Sequence, residues 1–241
     1  MIQSAPQIGF DRYIQLDWVA MAIKVRAGLA TLGDLEALLD SAGLGKEAKS
    51  KTRTKLNALA IEPRNELVDF IDRGVMIFSP NDDRVMTAVF AWGSAIASYP
   101  YFGKVAEFSG RLTALQGDCS VSEIHRRMSE VYGDREVTKR ATQAVIQTQA
   151  NWGAIERVEN GKRLNRLPQR KVSDEKVITW LVEAALRFTG KAMPVTSLPT
   201  MAVIYPFLID QSLPYVLSKS DVIELRAEGP SNQFAALRSQ I

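Results

Sequence analysis

The chain has 241 residues, 46% hydrophobic and 24% charged, a balance that sustains a folded core and excludes disorder by composition. One cysteine, Cys119, rules out an intrachain disulfide and a Cys-rich zinc site, and one histidine, His125, rules out a multi-histidine metal centre. A net charge of +3 is too small by itself to name a partner.

Met1 to Phe10 carry no basic segment followed by an apolar run, so the sequence predicts no secretory leader and a cytoplasmic location. Helical periodicity follows. Asp11 to Ala27 sets Ile14, Leu16, Trp18, Val19, Ile23 and Val25 on more than one face and closes at Gly28. Thr31 with Asp34 predicts a capped short helix through Leu38 and Leu39. A basic helix is expected over Lys46 to Ala60, and Pro63 opens another that Gly74 would end. Val85 to Gly103 is free of charge over 19 residues, close to a bilayer span. Thr87, Gly93, Ser94, Ser98 and Pro100 dilute it, and it reads as a buried core helix broken at Tyr99-Pro100. Asp82 and Asp83 before it are favourable charges at a helix start rather than metal ligands. Residues 1–100 are predicted as a helical scaffold domain.

From Tyr101 the pattern sharpens. Val105, Phe108, Leu112 and Leu115 form one stripe, and Gly117 follows. Ser120 stands three residues before Glu123, a capping-box spacing, ahead of Val121, Ile124, Met128 and Val131. Gly133 stops that helix and Asp134 is placed to cap the next, which would bury Val137, Ala141, Val145, Thr148 and Trp152. The period then becomes extended. Glu159-Asn160-Gly161 between two short strands predicts a tight hairpin, since Asn-Gly supplies the positive φ angles of a type I′ turn. Three helices and a hairpin over 101–172 make the layout of a winged helix-turn-helix with a β-hairpin wing.

The remainder, 173–241, is predicted as a C-terminal helical extension of mixed character. Ser173, Asp174 and Glu175 cap a helix that Gly190 ends. Thr200 to Asp210 is short and apolar, and Tyr215 to Arg226 fits a helix or a strand. The fold class expected is therefore mostly α.

The charge is unevenly placed. Between His125 and Lys171 there are 11 Lys and Arg against 5 Asp and Glu, a surplus of +6 that leaves −3 elsewhere. In a helix-turn-helix the second helix lies in the major groove. Here that helix offers Arg135, Thr138, Lys139, Thr142, Gln143 and Gln147, and Arg can pair with guanine and Gln with adenine. Lys162, Arg163 and Arg166 on the wing, with Arg126 and Arg127 on the preceding helix, complete the expected double-stranded-DNA surface. Lys49, Lys51, Arg53 and Lys55 form either a solvated face or a secondary phosphate-contacting surface.

Catalytic patterns are missing. The sequence has no G-x-x-x-x-G-K-[ST] loop, G-x-G-x-x-G fingerprint or G-x-S-x-G elbow. His125 beside Arg126 and Arg127 reads as a surface helix residue rather than a general base, and Cys119 as a semi-buried thiol near a helix start. No catalytic residue, metal or cofactor is expected.

One family has a similar layout. The order of an N-terminal helix ending in Gly28, Lys51-Thr52-Arg53-Thr54-Lys55-Leu56, Glu66-Leu67-Val68-Asp69-Phe70-Ile71, the segment Trp92 to Phe108, and a helical pair leading to Trp152-Gly153-Ala154-Ile155 resembles the BrxA proteins of bacterial BREX phage-defence systems. The resemblance spans about three-quarters of the chain and lies in order rather than identity. It implies a mostly helical, double-stranded-DNA-binding protein with a role in antiviral defence and with other subunits of a defence complex as partners. The Asn160-Gly161 hairpin and a longer C-terminal region depart from it. The alternative is a protein–protein adaptor in which the same winged helix docks a partner. The Trp and Phe of the N-terminal half would also allow a homodimer interface.

Overall fold

The computed structural model describes residues 7–79, 83–227 and 232–238. Five helices come first: α1 (Leu16–Arg26), α2 (Leu32–Ser41), α3 (Lys46–Leu56), α4 (Val68–Phe78) and α5 (Arg84–Ser98). Next are α6 (Pro100–Gln116), β1 (Asp118–Ser120), α7 (Val121–Tyr132), α8 (Glu136–Asn151), β2 (Ile155–Val158) and β3 (Arg163–Arg166). The chain continues through β4 (Arg170–Val172), α9 (Glu175–Thr189), β5 (Met193–Pro194), β6 (Phe207–Ile209), α10 (Leu213–Ser218), β7 (Ile223–Ala227) and β8 (Gln233–Leu237). The architecture is mostly helical with three small sheets: β1-β3-β2 antiparallel, β4-β6 parallel, and β5-β8-β7 antiparallel.

Local chemistry sets many of the boundaries. Thr31 and Asp34 form a reciprocal capping box on α2, and Asp174 caps α9 by accepting from Lys176 and Val177 N–H at 2.8 and 3.0 Å. Asp83 caps α5, accepting from Val85 N–H at 2.8 Å, whereas Asp82 lies outside the described residues. Pro100 begins α6 where its missing N–H costs nothing, and Gly117 ends it at φ 79°. α5 is 15 residues long and almost wholly buried, as its uncharged composition requires. Among the described residues no helix is long and apolar enough to cross a membrane.

The segments read as three domains share one buried core. Its densest part is aromatic. The Trp180 indole of α9 stacks on Phe70 at 4.5 Å and on Phe90 at 5.5 Å, meets Phe78 edge-on, and donates from Nε1 to the Phe70 carbonyl at 2.9 Å. Gly74 and Gly93 make room for it: a Cβ on Gly74 would lie 2.8 Å from the indole nitrogen, and one on Gly93 would overlap the ring. Gly74 therefore does not end its helix; it sits inside α4 because of this packing. A second aromatic group joins Trp92, Phe102, Trp152, Tyr205 and Phe207, with Trp92 Nε1 donating to the Val203 carbonyl at 2.8 Å. Trp18, Phe10, Phe70, Phe78 and Phe90, which the sequence would allow at a dimer interface, are buried here instead.

Two further expectations change. Leu115 is 91% exposed, and α6 buries Val105, Ala106, Ser109, Gly110 and Thr113 in its place. Tyr215 to Arg226 is neither one helix nor one strand: α10 ends at Ser218 and β7 begins at Ile223, so the C-terminal region carries a sheet as well as helices. Replacing Gly93 with Ala should lower stability by about 1–3 kcal/mol through overpacking against Trp180. Urea unfolding followed by tryptophan fluorescence measures this, and an unchanged midpoint would contradict the packing described.

Candidate nucleic-acid interface

Residues 101–172, the segment read as a winged helix, fold into α6, β1, α7, α8, the β2–β3 hairpin and β4. β1, only three residues long, was not legible in the sequence; it pairs with β3 through Cys119↔Leu164 and Ser120↔Arg163. Ser120 Oγ accepts from Glu123 N–H at 3.2 Å and starts α7 where the sequence placed it. At the hairpin tip Asn160 has φ 55° and ψ 33°, Gly161 has φ 80°, and Lys162 N–H donates to the Glu159 carbonyl at 3.2 Å. The hairpin and its register are as expected, but Glu159 also has a positive φ of 51°, so the tip is a four-residue loop rather than a tight type I′ turn. The Val121 N–H donates to the Lys162 carbonyl at 2.9 Å, fixing the hairpin tip to the start of α7.

The buried side of α8 is wider than expected: Ala141, Val145, Thr148 and Trp152 are buried as the sequence predicts, and further residues join them. Thr138 and Thr142, assigned to the DNA-facing side, are 1% and 0% exposed, while Val137, assigned to the core, is 44% exposed. The physical reason is a set of buried polar anchors. The Tyr101 hydroxyl donates to the Thr138 carbonyl at 2.8 Å and lies 2.7 Å from Thr142 Oγ1. Thr148 Oγ1 accepts from Ile14 N–H at 3.0 Å, Asn151 Oδ1 accepts from Leu16 N–H at 2.7 Å, and Gln149 Oε1 accepts from the Tyr205 hydroxyl at 2.9 Å. Trp152 Nε1 donates to the Ile14 carbonyl at 3.0 Å. Asp134 does not cap the helix; the N-cap position is Arg135. What α8 leaves accessible is Glu136, Val137, Lys139, Arg140 and, half-buried, Gln143 and Gln147.

The cations fall into two groups. Lys139 pairs with Asp134 at 3.1 Å and Arg140 with Glu136 at 3.4 Å, both in exposed pairs that contribute little and can exchange for phosphate. Arg135 is exposed and donates to the Tyr132 carbonyl at 2.9 Å. Lys162 and Arg157 are exposed and have no carboxylate partner among the described residues. Other expected contacts are engaged within the protein. Arg126 and Arg127 share Glu123, and hydrogen bonds from Arg126 foremost hold that carboxyl down to about 2. Arg163 pairs with Asp118, its Nε donating to Oδ2 at 3.0 Å. Arg166 turns inward, donating to the Tyr205 carbonyl at 2.7 Å with its guanidinium over the Tyr205 ring. Arg140 and Arg157 were not among the sequence-derived contacts, although the Asn-Gly turn fixes the register that places Arg157 opposite Leu164.

The basic run of α3 is balanced. Lys49 reaches Asp40 at 2.7 Å and Glu36 at 3.1 Å, Arg53 reaches Glu36 at 3.0 Å, Lys51 pairs with Glu47, and Lys55 with Asp11 at 3.2 Å. The pairs of Lys49 and Arg53 join α3 to α2, and that of Lys55 joins it to the segment before α1, which supports the solvated-face reading over a secondary phosphate surface.

His125 and Cys119 both lie in this region. Cys119 is buried in β1 and its thiol is pushed up to about 11 by that burial, next by the charge of Asp118. A thiol of that kind is almost wholly protonated at neutral pH. His125 is half-buried rather than a surface residue, and its Nδ1 has no hydrogen-bond partner. An open groove of about 750 Å³ lies elsewhere, between α4, α9 and α10, floored by Trp180 and Val177. Its buried acid, Glu183, is fully engaged by Arg73 and Arg187. Among the described residues no group of three His, Cys, Asp or Glu could hold a metal ion.

Comparison with protein-family models, with curated proteins and with solved structures finds no match for this chain.

His125 also gives a stability prediction. Burial lowers its pKa below the ordinary 6.5, with a hydrogen bond to Gln143 acting in the opposite sense and Lys139 adding to the lowering. The unfolded chain takes up this proton first, so stability should fall as pH drops through 6.5. As the chain has one histidine, urea midpoints between pH 7.5 and 5.5 report this group most directly. His125→Asn should flatten the dependence; an equal slope in the variant would contradict it.

Proposed function

We propose that this is a non-catalytic protein that binds double-stranded DNA through a winged helix formed by residues 100–166. The observation that carries the reading is the accessible side of α8. It presents Lys139, Arg140, Gln143 and Gln147 together beside Arg135, and their exposed ion pairs are weak enough to yield to phosphate. The order helix, short strand, helix, helix, hairpin supports the fold assignment, as does the β1-β3-β2 pairing. Cations meet phosphates and fix position, while Gln143 and Gln147 are suited to adenine edges.

The biological setting follows the family resemblance: a subunit of a phage-defence assembly, or else a regulator acting alone. Stoichiometric co-purification with an ATPase or a methyltransferase favours the first. A symmetric dimer on palindromic half-sites favours the second. The adaptor reading rests on a different observation, the exposed Val131 and Val137 near the turn between α7 and α8.

Fluorescence anisotropy of a labelled random-sequence duplex across a salt series tests the proposal. Each phosphate contact contributes about −0.9 to the slope of log K against log salt. Binding with a steep slope that Lys139→Glu with Arg140→Glu flattens is the expected result. No binding at low salt would overturn duplex binding by this surface, and capture of a protein partner insensitive to salt would favour the adaptor.

A further inference from the structure

We propose that the hairpin meets duplex phosphate through Arg157 and Lys162, and that Arg163, the arginine at its tip by sequence, serves to hold the hairpin in place instead. This rests on the duplex-binding reading above and assigns the cations within it.

The assignment follows from exposure and from ion pairing. Successive residues of a strand point to opposite faces. Leu164 is fully buried, so its face of the hairpin is the one packed on the protein; its cross-strand partner is Arg157. Arg163 points to the other face, where its neighbours across the two ladders are Ser120 and Val158. There its guanidinium reaches diagonally to Asp118 of β1, with Glu159 at 3.8 Å on the other side. Half-buried there, Arg163 ties β3 to β1 through its pair with Asp118. Its release toward phosphate would leave Asp118 unpaired beside an anion.

Arg157 shares the face of Leu164, yet it is exposed, and its guanidinium runs out along the turn. It lies on β2, the outer strand of the β1-β3-β2 sheet, so no further strand covers it. Among the described residues it has no carboxylate partner. Its side chain lies along the turn: a Cβ added at Gly161 would come within 3.3 Å of Cζ and nearer still to Nη2. Gly161 thus serves two purposes, the positive φ of the turn and the space that holds this guanidinium at the tip. Lys162, the last residue of the turn, is exposed, and its backbone is fixed by the bond from Val121 to its carbonyl. The result is two cations near the tip of a short, tethered hairpin, with no carboxylate partner among the described residues, a geometry suited to the anionic backbone flanking a groove.

The test is the same anisotropy salt series on the full chain with three single variants, Arg157→Gln, Lys162→Gln and Arg163→Gln, each followed also by thermal melting. Arg157→Gln and Lys162→Gln should each flatten the slope by about 0.9, the contribution of one phosphate, with little change in melting temperature. Arg163→Gln should lower the melting temperature and leave the slope of the folded protein unchanged. A flattened slope for Arg163→Gln with none for Arg157→Gln would overturn the assignment while leaving duplex binding intact. So would a lowered melting temperature with an unchanged slope for Arg157→Gln. Failure of the wild-type protein to bind duplex at low salt would instead remove the reading on which the assignment rests.

Discussion

Threonine, asparagine and glutamine on the inner side of α8 turn away from water, and most of them are tied to distant parts of the chain. Thr142 meets the Tyr101 hydroxyl of α6, Thr148 and Asn151 accept from the backbone ahead of and at the start of α1, and Gln149 takes the Tyr205 hydroxyl. Hydrogen bonds of this kind add only about 1 kcal/mol each, but leaving such a group buried and unpaired costs more. The seam therefore acts chiefly on geometry. It admits one rotation of α8 about its axis, and that rotation decides which residues the protein presents outward.

The aromatic core transmits this constraint. Trp152 ends α8 and donates to the Ile14 carbonyl, while its ring meets Trp92 of α5 and Phe102 of α6. α5 in turn packs on α9 through Phe90 and Trp180, where Gly74 and Gly93 let the indole approach the helix backbones. The N-terminal helices and the C-terminal region thus form the support behind α8. The α2–α3 ion pairs belong to the same support, since they join elements of the scaffold to one another.

Much of this was legible from residue order. Asn160-Gly161 encoded the hairpin and its register because few residue pairs accept two successive positive φ angles. Caps at Thr31, Ser120 and Asp174 marked helix starts because a side-chain oxygen there satisfies a free backbone N–H. The extent of the buried side of α8 was hidden, because hydrophobicity reads Thr138 and Thr142 as outer and Val137 as inner. Only partners more than 35 residues away reverse that order. The engagement of Arg163 by Asp118 and of Arg166 by the Tyr205 carbonyl was hidden for the same reason, and that of Lys49 and Arg53 by α2 depends on how the two helices pack. Charge counted along a sequence does not say which cations the fold has already paired.

Under the proposed function the duplex-binding face lies on α8 and the hairpin, and not on the basic helix near the N-terminus. Hydrogen–deuterium exchange of the full chain with and without a duplex locates that face directly. It should show slowed exchange over residues 135–147 and 155–166, with the rates of α2 and α3 unchanged. Protection centred on α2 and α3, with none in α8 or the hairpin, would contradict it.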